Sequence, residues 1–99
     1  MADNMSVNPG EFKETKEVLI KNHLGLHARA AARLVETAKQ YDSEVWLEKN
    51  GQIADAKSVI SLLTLECPPG SRVLIKAEGP DSKLAIEAIS DLIDNNFGE

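Results

Sequence analysis

His27 and Arg29 are the two residues of this sequence whose types and spacing best suit chemistry on a phosphoryl group. A neutral imidazole nitrogen is a good nucleophile near neutral pH, where histidine titrates. The arginine guanidinium stays charged and presents a fork of donors that matches phosphate oxygens. The pair indicates a site that could accept a phosphoryl group, although a histidine and an arginine this close are also common without any chemistry.

The neighbouring residues place this pair at the start of a helix. Gly25 interrupts the preceding segment, and the apolar residues that follow His27 recur at helical spacing. The backbone N–H groups of a first helical turn are unpaired and carry partial positive charge, so such a turn suits an anion. The sequence therefore predicts a phosphate-binding helix start at Ala28, Arg29 and Ala30. The predicted buried stripe consists of Ala31, Leu34, Val35 and Ala38.

The rest of the chain predicts a small α+β domain. Asn50-Gly51 is a strong hairpin signal because both residues tolerate positive φ. Ser58 and Asp81 are expected to cap two further helices, the first of them spanning residues 59–65. The order β-α-β-β-α-β-α favours a two-layer open-faced sandwich, a four-stranded antiparallel sheet with three helices on one face. The predicted strands are residues 17–21, 43–49, 52–55 and 72–78.

Composition narrows the possible functions. Ninety-nine residues suffice for one domain, and a net charge of −5 with a pI near 5.0 argues against nucleic-acid binding. No apolar run is long enough for membrane insertion, and Cys67 is the single cysteine, so no disulfide forms within the chain. We expect a flexible N-terminal extension over residues 1–15 without a secretory signal, a folded domain over 16–99, and a cytoplasmic location.

Two motifs in register resemble the histidine-containing phosphocarrier protein HPr of the bacterial sugar phosphotransferase system. The family signature Gly-Leu-His-x-Arg-Pro-Ala appears here as residues 25–31, with Ala30 in place of the usual proline. The second landmark, a Lys-Ser pair before an apolar helical stretch, appears as Lys57-Ser58. The resemblance extends from Lys16 to about Phe97. Alanine keeps the helix but loses the φ restriction of proline, so we expect a more relaxed helix start with no reacting atom lost.

The resemblance implies a phosphocarrier and names its partners. His27 would be phosphorylated at Nδ1 by enzyme I, which takes the group from phosphoenolpyruvate, and would pass it to sugar-specific enzyme IIA domains. Arg29 would stabilise the group during transfer. No cofactor and no metal are expected, nor any turnover on a small molecule alone. In many relatives an ATP-dependent kinase phosphorylates the serine that matches Ser58, although Ser58 is also explained as a helix cap worth about 1 kcal/mol.

A docking surface for these partners is predicted beside His27. Ile60 is expected to be exposed, because the apolar residues of so short a helix cannot all point inward. Together with its neighbours it would form an apolar patch with a charged rim, which suits brief docking by a monomer to several partners. The patch is predicted from Leu26, Ala30, Val59 and Ile60, and its rim from Arg29, Arg33 and Lys39.

Three other functions remain open at this level. The first is a nitrogen-branch or regulatory-only relative of HPr. The second is a binding module such as a small metal chaperone, although the spacing of His23 and His27 is interrupted by Gly25 and no CxxC motif is present. The third is a small acylphosphate hydrolase, which has a similar layered architecture, and fold alone cannot decide among them.

Overall fold

The computed structural model describes residues 13–99 and has the predicted order of elements. The four strands and three helices alternate as β-α-β-β-α-β-α, and a short 3-10 turn follows the last helix. The elements are β1 (Lys13–Ile20), α1 (Ala28–Ala38), β2 (Glu44–Lys49), β3 (Gln52–Asp55), α2 (Val59–Leu63), β4 (Ser71–Glu78), α3 (Ser82–Asp94) and the 3-10 turn Asn96–Gly98.

The sheet is antiparallel throughout, with strand order β1-β4-β2-β3. β4 lies between β1 and β2. The last strand of the chain therefore pairs with the first strand on one side and with the β2–β3 hairpin on the other. The three helices cover one face and leave the other open, which confirms the predicted open-faced α+β sandwich. The core between the layers is almost entirely aliphatic. Its largest fully buried side chains include Phe97, Ile20, Leu34, Leu47, Leu62, Ile75, Ile89 and Ile93.

The predicted hairpin is confirmed in detail. Asn50 and Gly51 have φ angles of 52° and 85°, the left-handed values that a two-residue turn between twisted strands requires. Trp46 pairs with Asp55 and Lys49 with Gln52 across the turn. The local sequence alone was therefore enough to fix this connection.

Strand β1 starts four residues before the predicted Glu17. Lys13–Thr15, which the sequence analysis assigned to the extension, pair with residues 76–78 of β4. Side chains on both faces of this end of the strand are largely exposed, so the sequence there has no apolar alternation to reveal it. This part of the strand forms because its backbone pairs with β4. The remaining extension, residues 1–12, lies outside the described residues.

The two predicted helix caps have different outcomes. The Ser58 hydroxyl accepts a hydrogen bond from the Ser61 N–H at 3.2 Å, which confirms it as the cap of α2. Asp81 precedes α3, but its side chain makes no capping bond. Its carboxylate instead accepts from the Asp42 and Ser43 N–H groups and from Ser43 Oγ. Asp81 therefore stands at the predicted N-cap position, but the capping bond expected from its side chain is wrong, because a loop 38 residues earlier competes for the same oxygens.

We expect Asp81→Asn to weaken the fold in a pH-dependent manner. The hydrogen bonds from Ser43 and Asp42 hold the pKa of the Asp81 carboxyl below its usual range. A carboxylate with a depressed pKa stabilises the folded state above its unfolded-state pKa, and this stability is lost as pH falls through the folded-state pKa. The variant should therefore have a lower thermal unfolding midpoint than wild type at about pH 7, and this difference in midpoint should narrow at about pH 3. A difference in midpoint that is the same at both pH values would show that the charge of Asp81 does not contribute to stability.

No helix within residues 13–99 is both long enough and apolar enough to cross a membrane.

Candidate functional site

The site begins with the loop that carries His27. Gly25 adopts a φ of 67°, and a Cβ built on it would lie 2.3 Å from the carbonyl oxygen of Cys67. The adjacent Leu26 N–H donates to the same oxygen at 2.9 Å. This close approach of two backbones requires glycine and ties the His27 loop to the segment that follows α2.

Replacing Gly25 should therefore disturb the loop and the fold together. Gly25→Ala combines an unfavourable φ with a backbone clash, and we expect it to lower the free energy of unfolding by about 1–3 kcal/mol. Gly70→Ala is the matched control, because Gly70 has a φ of 91° but open space where its Cβ would be. Denaturant unfolding should give a clearly larger loss for Gly25→Ala. Equal losses would mean that the contact with Cys67 is unimportant.

His27 is the N-cap residue of α1, as the sequence predicted. Its backbone is extended and its carbonyl accepts from the Ala31 N–H at 2.8 Å, but its side chain makes no capping bond. The N–H groups of Ala28, Arg29 and Ala30 have no hydrogen-bond partner within residues 13–99. The first turn of α1 thus presents free donors directly after His27, as an anion-binding site needs.

The imidazole of His27 is held by a carboxylate that the sequence analysis missed. Nε2 pairs with Oε2 of Glu99, and Oε1 of Glu99 accepts from Nδ2 of Asn22 at 3.2 Å. The two side chains of the pair retain 22% and 21% of their surface exposed. No motif marks Glu99, which lies 72 positions along the chain from His27.

The pKa of the Glu99 carboxyl reflects the hydrogen bonds that it accepts. The hydrogen bond from His27 is the main cause that holds the pKa of the Glu99 carboxyl below its usual range. The bond from Asn22 and the positive charge of Arg29 act in the same direction. Because an ionised carboxylate only accepts hydrogen bonds, Nε2 must carry the proton of this contact. Nδ1 has no hydrogen-bond partner among the residues that the structure describes.

Some of the predicted docking residues are exposed and others are buried. Ile60 is 77% exposed, as predicted, and Val59 is half-buried beside it. Leu26 and Ala30 were wrongly placed in the exposed patch. Both are buried in the core, 6% and 0% exposed. Ala30 lies on the buried face of α1, and the Leu26 N–H is bonded to the Cys67 carbonyl oxygen.

Only part of the predicted basic rim is exposed and available for contact with a partner. Arg29 and Lys39 are exposed. Arg33 is half-buried, and its Nη1 donates to the Phe97 carbonyl oxygen at 2.6 Å. Part of the charge assigned to docking is therefore used inside the molecule.

Cys67 and His23 are the other candidate reactive residues of the sequence. The Cys67 thiol is buried, and burial raises its pKa, which disfavours the reactive thiolate. Within residues 13–99 no group of three or more His, Cys, Asp or Glu side chains could hold a metal ion. His23 is exposed in the loop before Gly25.

The model of the family described as PTS HPr component phosphorylation site matches residues 14–95. The chain belongs to this HPr family. It is 42% identical over 84 residues to the phosphocarrier protein HPr of Cupriavidus necator, a match that covers 85% of this chain and 94% of the relative. The phosphocarrier protein NPr of Shewanella violacea is 39% identical, with 88% and 96% covered.

A solved structure agrees with the fold. The crystal structure of HPr-C-His from Thermoanaerobacter tengcongensis superposes with a TM-score of 0.84 and 42% identity, covering 87% of this chain and 97% of the other. Membership of the family supports a general role in phosphoryl transfer.

Proposed function

We infer that this protein accepts a phosphoryl group on Nδ1 of His27 from enzyme I and donates it to enzyme IIA domains. One observation carries the assignment. Nε2 of His27 pairs with Glu99, so Nδ1 is the ring nitrogen left without a partner among residues 13–99, on the residue directly before the unpaired N–H groups of the first turn of α1. Family membership supports the reaction class.

The transfer step needs little from this protein beyond geometry and charge. The Nδ1 lone pair attacks phosphorus, a P–N bond forms, and the bond from phosphorus to the donor breaks with its electron pair remaining on the donor. The Nε2 proton stays on the ring and continues to donate to Glu99. Arg29 and the N–H groups of the first turn stabilise the charge on the equatorial oxygens.

Partner docking uses the surface around α2 in this proposal. Ile60 is the most exposed large apolar side chain there, and Leu63 is 37% exposed. Lys39 contributes charge at the end of α1, whereas Leu26 is buried and does not contact partners. We expect the protein to act as a monomer in the cytoplasm, where phosphoenolpyruvate is made, and light scattering after gel filtration would measure its oligomeric state.

The direct test is intact-mass analysis after incubation with enzyme I, phosphoenolpyruvate and Mg²⁺. We expect one acid-labile phosphoryl adduct, which is lost on addition of an enzyme IIA domain. No adduct with an enzyme I that phosphorylates another HPr would exclude the sugar-branch role.

The similarity to NPr makes a nitrogen-branch carrier the second candidate. The two roles differ in the donor protein. Parallel reactions with enzyme I of the sugar branch and with its nitrogen-branch counterpart would decide between them by initial rate. A faster reaction with the nitrogen-branch donor would replace the first proposal.

Regulation by phosphorylation at Ser58 is a further part of the proposal. Its half-exposed hydroxyl caps α2, where added negative charge is tolerated by the helix dipole. A phosphate there would repel an acidic partner without unfolding the domain. Incubation with ATP and a kinase that modifies HPr should add an acid-stable phosphoryl group that is absent in Ser58→Ala, and its absence in wild type would remove this part.

A further inference from the structure

The segment that follows α3 is folded against the His27 loop in an unusual backbone conformation. Asn96 and Phe97 both have a φ of 57°, which residues other than glycine rarely adopt. Two such residues in succession persist only where the surroundings hold them. Phe97 is fully buried in the core, which fixes the turn Asn96–Gly98 from the inside.

Two cationic side chains hold this turn from the outside. Nη1 of Arg33 donates to the Phe97 carbonyl oxygen at 2.6 Å, and a Cβ built on Gly98 would lie 3.5 Å from the same nitrogen. Nζ of Lys21 donates to the Asp94 carbonyl oxygen at 2.6 Å, just before the turn. Arg33 belongs to α1, the helix that begins at His27, so one helix carries the imidazole and also holds the turn.

The turn delivers the Glu99 carboxylate to His27. Both carboxylate oxygens are used, one by Nε2 of His27 and the other by Nδ2 of Asn22. Asn22 is 97% buried and also donates to the Gly25 carbonyl oxygen at 2.8 Å, so its position is fixed by the loop. The carboxylate is therefore placed by the turn on one side and by the loop on the other.

We propose that Arg33 is a positioning residue, which acts through the turn Asn96–Gly98 and Glu99 to block Nε2 of His27 and direct phosphorylation to Nδ1. The proposal rests on the phosphocarrier function inferred above. Groups that orient a metal-binding histidine from behind change metal affinity or activity by about 10- to 100-fold when they are removed, and we expect an effect of the same order on the reacting histidine here. Arg33 touches neither the imidazole nor the phosphoryl group in this scheme.

The test uses phosphoramidate, a small phosphoryl donor that needs no partner protein. Full-length protein is phosphorylated, and ³¹P and long-range ¹H–¹⁵N spectra give the ratio of Nδ1 to Nε2 phosphohistidine at His27. We expect Nδ1 to dominate in wild type and the ratio to fall by about tenfold in Arg33→Gln and in Glu99→Ala. Arg33→Lys, which retains a charged donor, should recover most of the wild-type ratio.

Arg72→Gln is the matched control, because Arg72 is an exposed arginine on the open face of β4 and its replacement should leave the ratio unchanged. A wild-type ratio in folded Arg33→Gln would overturn the proposal. If Arg33→Gln fails to fold, a wild-type ratio in Glu99→Ala overturns it equally. Since enzyme I takes no part, failure of the phosphocarrier role would appear separately, as a missing adduct in the enzyme I reaction.

Discussion

His27→Ala is expected to abolish phosphoryl acceptance completely while the domain stays folded. The reacting nitrogen is lost, and the two nitrogen atoms of the imidazole are the only ones at this position that could form the P–N bond. Because His27 caps α1 with its backbone and not with its side chain, the helix should still begin at Ala28. Intact-mass analysis with enzyme I and phosphoenolpyruvate measures the loss, and circular dichroism checks the fold.

His23→Ala provides the control for this experiment. His23 is the other histidine of the sequence and is exposed in the same loop, four residues before His27. Its replacement should leave the phosphoryl adduct at the wild-type level. An acid-labile adduct that persists in His27→Ala, or disappears in His23→Ala, would contradict the assignment of the acceptor.

Arg29→Ala should slow phosphoryl transfer by about 10²- to 10³-fold, the usual effect of removing one charged or hydrogen-bonding group aimed at a transition state. The Arg29 side chain is exposed in the first turn of α1, two residues after His27. Rapid-quench measurement of the phosphorylation rate by enzyme I would give the effect. Arg29→Lys should lie between wild type and alanine, since lysine keeps the charge but not the two-pronged geometry.

A matched control separates this local effect from a general loss of positive charge. Arg72→Ala removes the same charge from the open face of the sheet and should leave the transfer rate nearly unchanged. The stability of Arg29→Ala should stay within about 0.5 kcal/mol of wild type because the side chain is exposed. Equal slowing by both variants would mean that Arg29 acts only through the overall charge of the protein.

Features that depend on neighbouring residues were predictable from the sequence. The stripe Ala31, Leu34, Val35 and Ala38 is buried as its spacing predicts. The Asn50-Gly51 turn and the Ser58 cap are also present, since each is decided by backbone preferences or a bond within a few residues. The same holds for the position of His27 at the start of α1, which follows from a glycine loop next to a helical pattern.

Features that depend on distant segments were not predictable in this way. Leu26 was expected at the surface, but the contact between its N–H and Cys67 draws it into the core. Asp81 has a side chain typical of a helix cap, yet it bonds to Asp42 and Ser43. For Asp81 the local preference for capping is worth about 1 kcal/mol, and several hydrogen bonds formed on folding outweigh it.

The sequence by itself predicted the fold class through periodicity and turn chemistry. It also pointed to His27 as the acceptor and Arg29 as the charged group, through a contiguous motif that resembles the HPr signature. The resemblance implies Nδ1 as the reacting nitrogen, but only the tertiary structure shows which ring nitrogen of His27 is left without a partner within residues 13–99. That choice depends on Glu99, which the packing of α3 and the bond from Arg33 to Phe97 bring to the imidazole. A contact between residues 72 positions apart has no local signal, since it exists only after the layers have packed.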